Sequence, residues 1–269
     1  MTGLFDAEVY RAHNTDLREM TDFQLREHCS QFANERRIYG NTSSTAEFLS
    51  MRWLRGSGME VGAGSHPTRL FGNAKAIAGD CDKALVFGGK SLDFVCSLDD
   101  PEFPVGHLDR FDFVVASHVL EHVDSFLRAL ENLFSVTRAG GIIYIVLPDI
   151  EILGDKYWLP FFDFEHHRRE YLEPLAYATL HDQLYIVGSG IGNLDENVHA
   201  SLSADYKRAV FSGTIPPGQR FLHHKHNYDF DGWLNMFHEA KAFFDGRFKQ
   251  AEVRYGHERM DCHFVLEVK

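Results

Sequence analysis

The sharpest chemical signal in the chain is a glycine turn that follows a short apolar run. Its residues are Glu60-Val61-Gly62-Ala63-Gly64, and the two glycines let the backbone turn tightly and approach a ligand without a Cβ in the way. A helix that starts after such a turn offers free N–H groups, which hold a pyrophosphate in dinucleotide sites. Here Pro67 stands where the dinucleotide fingerprint has its third glycine, and the acidic Glu60 precedes the turn. The segment therefore predicts a ligand that carries an ammonium group rather than a pyrophosphate.

Acidic residues follow the next two predicted strands. Asp80 closes the second strand, at a position where an acidic side chain accepts hydrogen bonds from ribose hydroxyls, and Asp82 takes this role if the strand runs longer. After the third strand, Asp99 is placed to accept from an adenine amine, and the Leu98 backbone is placed to read the ring edge. A glycine turn alone is most simply a tight turn with no ligand. The ordered series of turn and acids favours a bound nucleoside.

Histidine titrates closest to neutral pH, and the chain has 16 of them. Two clusters stand out, Asp163–Arg169 (DFEHHRR) and Phe221–Tyr228 (FLHHKHNY). A histidine can remove the proton of a hydroxyl group, and we expect His226 or His166 to do so, with His118 as the next choice.

Two other interpretations of these clusters stay open. Asp163, His166 and His226 could bind a divalent metal, but their spacing is not a recognised metal signature, so the sequence does not require one. Any single histidine could equally belong to a solvated polar surface.

The elements that position these residues alternate between strands and helices. Buried strands are predicted at Gly58–Val61, Ala74–Ala78, Leu92–Cys96, Phe111–Ala116 and Ile142–Leu147. An amphipathic helix is predicted over Val119–Val136, which would place His118 and His122 on one helical face. This alternation predicts an α/β fold with a Rossmann-like, doubly wound sheet.

The pattern changes after strand five. Residues 150–230 are rich in aromatics and histidine and lack a βαβ rhythm, which predicts a lid insertion that binds the substrate at the carboxyl ends of the strands. A helix at Trp233–Phe243 and a closing pair at Ala251–Tyr255 and His263–Val268 complete a seven-stranded sheet with an antiparallel last strand. We therefore expect residues 46–269 to form the main domain and residues 1–45 a helical N-terminal extension.

Composition narrows the function classes. Hydrophobic residues make up 44% of the 269, enough for a full core, and the net charge of -12 disfavours nucleic acid as a partner. The four cysteines form no CxxC pair, and no secretory signal or membrane-spanning apolar run is present in the sequence. We expect a soluble, cytoplasmic protein with free thiols. The oligomeric state stays open.

Three segments carry a family resemblance. Glu60–Ser65 (EVGAGS), Phe111–Val123 (FDFVVASHVLEHV) and Arg138–Asp149 (RAGGIIYIVLPD) resemble class I methyltransferases that use S-adenosylmethionine (SAM), in their small-molecule branch. The resemblance implies SAM as the cofactor, with Ser117 and His118 beside its methionine portion.

The resemblance covers residues 56–149 and the closing segment, and it departs from the family at His66, where many members have a third glycine. The full set of cofactor-binding residues that we expect is Glu60, Gly62, Ala63, Gly64, Asp80, Leu98, Asp99, Ser117 and His118.

The amino-terminal segment carries a second resemblance. Leu4–Tyr10 (LFDAEVY), Asn14–Leu17 (NTDL) and Asn34–Arg37 (NERR) resemble a short helical module that accompanies enzymes of bacterial surface-polysaccharide pathways, with Thr15 in place of its usual proline. This second resemblance implies that the protein O-methylates a sugar, or a sugar-linked intermediate such as a nucleotide-linked sugar. A helical cap on the main domain is the simpler alternative.

Two further functions fit the sequence. The side chains of Trp158, Phe161, Phe162 and Phe164 would suit the flat ring of an aromatic natural product or a quinone-like acceptor. A protein that binds SAM without catalysis is the third option, against which the intact glycine turn and Asp80 argue.

Overall fold

The computed structural model describes eight stretches of the chain. They are residues 7–31, 45–64, 67–81, 91–103, 111–149, 162–174, 224–256 and 261–269. Within these stretches, the helices are too short or too polar to cross a bilayer.

Seven strands of the described residues form one sheet. In chain order they are β1 (Ser57–Val61), β2 (Lys75–Asp80), β3 (Phe94–Val95), β4 (Phe111–Ser117), β5 (Thr137–Pro148), β6 (Phe248–Gly256) and β7 (Asp261–Val268). Their order across the sheet is β3-β2-β1-β4-β5-β7-β6. Strands β1 to β5 pair in parallel, whereas β7 runs antiparallel to both β5 and β6. The predicted Rossmann-like sheet with an antiparallel last strand is confirmed.

Six α-helices lie in the described stretches. They are α1 (Ala7–His13), α2 (Asp22–Gln31), α3 (Thr45–Trp53), α4 (Phe126–Val136), α5 (Phe164–Leu172) and α6 (Phe230–Phe243). A 3-10 turn follows α1 at Thr15–Leu17.

The sheet is covered on both faces because alternate residues of a strand point to opposite sides. On β4, Phe113 and Val115 pack with Phe48 of α3. Val114 and Ala116 of the same strand belong to the larger core that contains the apolar sides of α4 and α6. Helices on both faces make the sheet doubly wound, as predicted.

The amino-terminal helices have a small core of their own, formed by Tyr10, Leu17 and Leu25. Thr21 caps α2: the Gln24 N–H donates to Thr21 Oγ1, and the Thr21 N–H donates to Gln24 Oε1. This reciprocal pair is a capping box, which satisfies two backbone donors at the helix start.

The predicted helix over Val119–Val136 is wrong at its start. α4 begins only after Ser125, whose hydroxyl accepts from the Arg128 N–H as the N-cap. The residues before it form a turn, in which the Asp99 carboxylate accepts from the backbone N–H groups of Asp124 and Ser125. A polar cap that satisfies backbone donors therefore outweighs the apolar periodicity that continues upstream.

Two strand predictions also need correction. β3 has two residues rather than the five of Leu92–Cys96. β5 starts directly after α4, at Thr137, so the residues Ala139-Gly140-Gly141 before the predicted strand Ile142–Leu147 already belong to the strand. A register shift opposite Phe111 and Phe113 of β4 and the positive φ of 72° at Gly140 accommodate these residues in the sheet.

Candidate functional site

A cavity of about 260 Å³ lies at the carboxyl ends of β1, β2 and β4. Open α/β sheets bind their ligands at this edge. Its wall combines the glycine turn after β1, the acids after β2 and β3, and the turn after β4. Lining residues that matter for the chemistry are Gly62, Gly64, Asp80, Asp99, His118 and Lys225.

The two glycines of the turn have different structural tasks. Gly62 has φ +65°, and a Cβ there would lie 2.2 Å from Val119 Cγ2, so this position needs glycine for packing. Gly64 has φ +48°, but among the described atoms a Cβ would meet nothing nearer than Gly62 O at 3.9 Å. The space beside Gly64 thus opens into the cavity.

Asp80 ties the end of β2 to the glycine turn. Its Oδ2 accepts from the Gly64 N–H at 2.9 Å, and its Oδ1 accepts from the Cys81 N–H at 2.8 Å. Each carboxylate oxygen has two lone pairs, so both can accept one further hydrogen bond from a ligand hydroxyl.

Asp99 and Leu98 shape the adjacent wall. The Asp99 carboxylate holds the turn before α4, as described above, and the Leu98 carbonyl accepts from Asn132 Nδ2 at 2.8 Å. These bonds fix where the end of β3 lies relative to α4.

Three of the expected cofactor residues lie beside the cavity without lining it. The Glu60 carboxylate is buried and accepts from the Thr68 N–H at 2.8 Å. The Ala63 N–H donates to the Gly79 carbonyl at 3.1 Å, and Ser117 is the last residue of β4. In the described residues, Glu60 and Ala63 therefore stabilise the path of the turn.

His118 lies in the cavity wall directly after β4, with φ +55°. Its Nδ1 is 3.3 Å from Glu121 Oε1, and its Nε2 is 3.5 Å from Asp261 Oδ1. Burial by itself lowers the pKa of His118, but the two carboxylates outweigh it and raise the pKa to about 10. The imidazole is therefore a cation at neutral pH.

The predicted helical face shared by His118 and His122 does not form. The left-handed backbone at His118 interrupts helical geometry, and α4 starts only after both residues. The two rings converge instead on one carboxylate, since His122 Nε2 lies 3.8 Å from Glu121 Oε1.

His166 and His226 do come together, but at the buried Glu170 and not among the residues that line the cavity. Glu170 Oε1 lies 2.7 Å from His166 Nε2 and 2.9 Å from His226 Nε2, and Oε2 lies 2.8 Å from His167 Nδ1. His167 Nε2 is 2.7 Å from the Tyr228 hydroxyl. Burial raises the pKa of Glu170, but the neighbouring imidazoles outweigh it and hold this pKa well below its usual range.

Asp163 does not join the two histidines as the metal hypothesis required. Its carboxylate is the N-cap of α5 and accepts from the His166 N–H at 3.0 Å. Glu170, one helical turn after His166, takes the third place in this cluster.

Four acidic partners of the site were missed by sequence reasoning. They are Glu121, Asp124, Glu170 and Asp261. Asp124 pairs with the buried Lys225 in the cavity wall, and the Glu121 carbonyl accepts from the Lys225 N–H at 2.6 Å. The sequence held a usable signal, because the segment FLHHKHNY carries one lysine and three histidines without an acid. Burial of Lys225 and His226 therefore requires carboxylates from elsewhere in the chain.

A methyltransferase-domain family model matches residues 7–181, about two-thirds of the chain. No curated protein matches the sequence. The solved structures that resemble it are distant.

One of these structures is the CMeT domain of the citrinin polyketide synthase, with 12% identity over 91% of this chain and a TM-score of 0.41; the chain spans 51% of that protein's length. Another is a SAM-dependent methyltransferase from Thermotoga maritima, with 13% identity over 80% of this chain and 83% of that one, and a TM-score of 0.37. A third is PKMT2 from Rickettsia typhi in complex with AdoHcy, with 11% identity over 79% of this chain and 49% of that one, and a TM-score of 0.37.

Proposed function

The chain belongs to the methyltransferase-domain family of SAM-dependent enzymes, and we propose that it O-methylates a small polar acceptor, a sugar or sugar-linked intermediate. The cavity at the carboxyl edge of the sheet carries this proposal. It combines the glycine turn, Asp80, Asp99 and His118 in one wall.

Two features of the cavity support SAM as its ligand. Gly64 leaves open space that a side chain would fill, and Asp80 offers carboxylate oxygens beside it. When bound, SAM supplies a methyl group on a positively charged sulfur, and the protein aligns the acceptor with it. Asp80, Asp99 and Asp124 in the wall outnumber Lys225 and His118, which favours a cationic cofactor.

Gly64→Val is expected to weaken SAM binding by about 5- to 150-fold, because its branched side chain would occupy the cavity and overpacking costs about 1–3 kcal/mol. The left-handed φ adds a folding cost of about 1–2 kcal/mol for a valine at this position. Isothermal titration calorimetry with SAM and thermal unfolding measure the two effects separately.

Gly140→Val is the matched control for that experiment. Gly140 also has a positive φ, of 72°, and lies in the exposed first part of β5, outside the cavity. It should show the same loss of stability as Gly64→Val with unchanged SAM affinity. Equal SAM affinities in the two folded variants would contradict the placement of the cofactor beside Gly64.

Asp80→Ala is expected to weaken SAM binding by about 1.5–3 kcal/mol, roughly 10- to 150-fold, since a charged acceptor for the ribose hydroxyls is lost. Asp82→Ala is the comparison, because β2 ends at Asp80 and residue 82 lies outside the described stretches. Weaker binding in Asp82→Ala alone would show that the ribose acceptor was assigned to the wrong residue. Calorimetric titration of both variants decides this.

We assign the contact with the acceptor to His118. Of the three histidines expected to do chemistry, His118 lines the cavity, whereas His166 and His226 contact Glu170. A charged imidazole can orient an acceptor oxygen and stabilise the negative charge that develops on it. If His166 or His226 is instead the proton acceptor, its alanine variant should lose more turnover than the loss of folded protein explains.

A sugar acceptor is proposed from the resemblance of the amino-terminal segment and from the charged wall of the cavity. The aromatic acceptor has less support, because Phe162 stacks on His166 at 3.7 Å between ring centroids, and both Phe162 and Phe164 pack against the core. Trp158 and Phe161 lie outside the described residues. Mass spectrometry of products formed from nucleotide-linked sugars and from catechol-type acceptors would distinguish the two classes.

We also propose that residues 150–230 form the acceptor-binding lid and residues 1–45 a helical extension. Of the proposed lid, the structure describes 162–174 and 224–230, and Lys225 of this part lies in the cavity wall.

A further inference from the structure

Glu121 is a carboxylate that the fold buries without giving it good hydrogen bonds. Its side chain is 0% exposed, and among the described residues neither oxygen accepts a hydrogen bond of acceptable geometry. His118 Nδ1 approaches Oε1 to 3.3 Å, and His122 Nε2 approaches it to 3.8 Å. A buried carboxylate oxygen without a donor is strongly unfavourable, so such a group points to a missing ligand.

Two imidazoles surround this carboxylate. One ligand atom each of Glu121, His122 and His224 lie within 4.8 Å of one another. The two rings are 4.7 Å apart between centroids. The backbone fixes this arrangement, because the Glu121 carbonyl accepts from the N–H of Lys225, the residue after His224.

The second His–Glu cluster shows the opposite pattern. Both oxygens of Glu170 lie 2.7–2.9 Å from imidazole nitrogens, which are hydrogen-bond lengths. N–H donors therefore satisfy this carboxylate without an ion. Within the Glu121 cluster, His122 Nε2 lies 3.8 Å from Glu121 Oε1, which is too long for a hydrogen bond. This distance is closer to the spacing between two ligands of one tetrahedral zinc ion, which is about 3.3 Å for bonds of about 2.0–2.1 Å.

We propose that Glu121, His122 and His224 bind one first-row divalent cation, with Zn²⁺ the best fit. Imidazole nitrogens and a carboxylate oxygen are ligands that zinc prefers, whereas Mg²⁺ prefers oxygen alone. Two histidines and one glutamate leave a coordination position open for water or substrate, as catalytic zinc sites do.

The role of this ion rests on the proposed function. His122 lines the cavity, so the ion would lie at the cavity wall. There it could bind the acceptor hydroxyl and lower the pKa of that hydroxyl, which supplies the deprotonation that O-methylation needs. The ion would also neutralise Glu121, while His118 keeps Asp261 as its partner.

The test measures metal binding in the absence of SAM and acceptor. Tag-free full-length chain is stripped with EDTA, and then titrated with Zn²⁺ against a chromogenic chelator and with Co²⁺ by visible absorption. We expect one ion per chain. Binding should be at least about 100-fold weaker in Glu121→Gln, since loss of a direct ligand should exceed the roughly 10- to 100-fold effect of changing a group that only hydrogen-bonds to a ligand. His224→Gln, at a partly exposed position, should show the same loss and serves if Glu121→Gln does not fold.

His166→Gln is the matched control, since it removes an imidazole from the other cluster and should keep one ion per chain. The proposal would be overturned if the folded wild type showed no saturable metal binding. It would also be overturned if Glu121→Gln and His224→Gln both bound the metal as the wild type does, or if His166→Gln alone lost the ion. SAM binding and methyl transfer are measured on the same preparations. Transfer that persists in the ion-free protein overturns the catalytic role of the ion and leaves the proposed function standing. A bound ion without transfer to any sugar acceptor overturns the proposed function and leaves the binding site standing.

Discussion

Glu170→Gln is expected to lower the free energy of unfolding by about 3–5 kcal/mol at pH 7, which is the usual cost of removing one partner from a buried ion pair. Glu170 is fully buried, and three imidazoles donate to or approach its two oxygens. A glutamine keeps the shape, but it turns an N–H₂ group toward an imidazole and removes the negative charge. Urea-induced unfolding followed by circular dichroism measures the change.

Glu165→Gln is the control on the same helix. Glu165 is 51% exposed and pairs with Arg168 and Arg169, so its replacement should change stability by less than about 1 kcal/mol. Comparable destabilisation in both variants would mean that the buried contacts of Glu170 with the three histidines contribute no more to the free energy of unfolding than a surface ion pair.

The effect of Glu170 should depend on pH in a defined direction. Its pKa in the folded protein is held well below the ordinary glutamate value of about 4.5. A lowered carboxyl pKa stabilises the fold above the unfolded-state pKa, and this contribution is lost as pH falls toward the folded-state pKa. The difference between wild type and Glu170→Gln should therefore be full at pH 7 and shrink progressively below about pH 4.5. A difference that grows on acidification would contradict the ionised state of Glu170.

The strands β4 and β5 were predictable because their sequences are largely apolar runs between turn residues. The runs at Phe111–Ala116 and Ile142–Leu147 are buried on both faces, and such runs have few alternatives in a parallel sheet. The start of α4 was not predictable from periodicity, because the apolar pattern continues upstream of Ser125. The cap depends on Asp99, which lies about 25 residues earlier and is brought there by the sheet.

The cavity wall was partly predictable for a related reason. Gly62, Gly64 and Asp80 follow strand ends, and parallel strands bring their carboxyl ends to one edge. The carboxylates that contact the histidines do not follow any local pattern. Asp261 reaches His118 because β7 runs antiparallel to β5 and so begins at the edge where β4 ends. Contacts of this kind depend on topology rather than on spacing along the chain.

His118→Asn is expected to lower turnover by about 10²- to 10³-fold, the usual effect of removing one preorganised donor to a developing negative charge. Asparagine is the best replacement, because it tolerates the left-handed backbone that His118 adopts with φ +55° and cannot carry the charge of the imidazole. SAM affinity should change by only a few-fold, since Gly64 and Asp80 are untouched. Steady-state kinetics with the identified acceptor, together with calorimetric SAM titration, separates the two quantities.

Two comparisons make the His118 result specific. His238→Asn changes an exposed histidine of α6 outside the cavity wall and should leave both turnover and SAM affinity unchanged. His118→Gly accepts the same backbone conformation and leaves space for a small molecule, so added imidazole should restore part of its turnover. If His118 served only folding, the loss of activity in its variants would follow their loss of thermal stability, and added imidazole would not restore turnover. Turnover within about threefold of wild type in a folded His118→Asn variant would remove His118 from the chemistry, because a hydrogen bond from a charged donor to the transition state contributes about 1.5–3 kcal/mol, roughly 10- to 150-fold in rate.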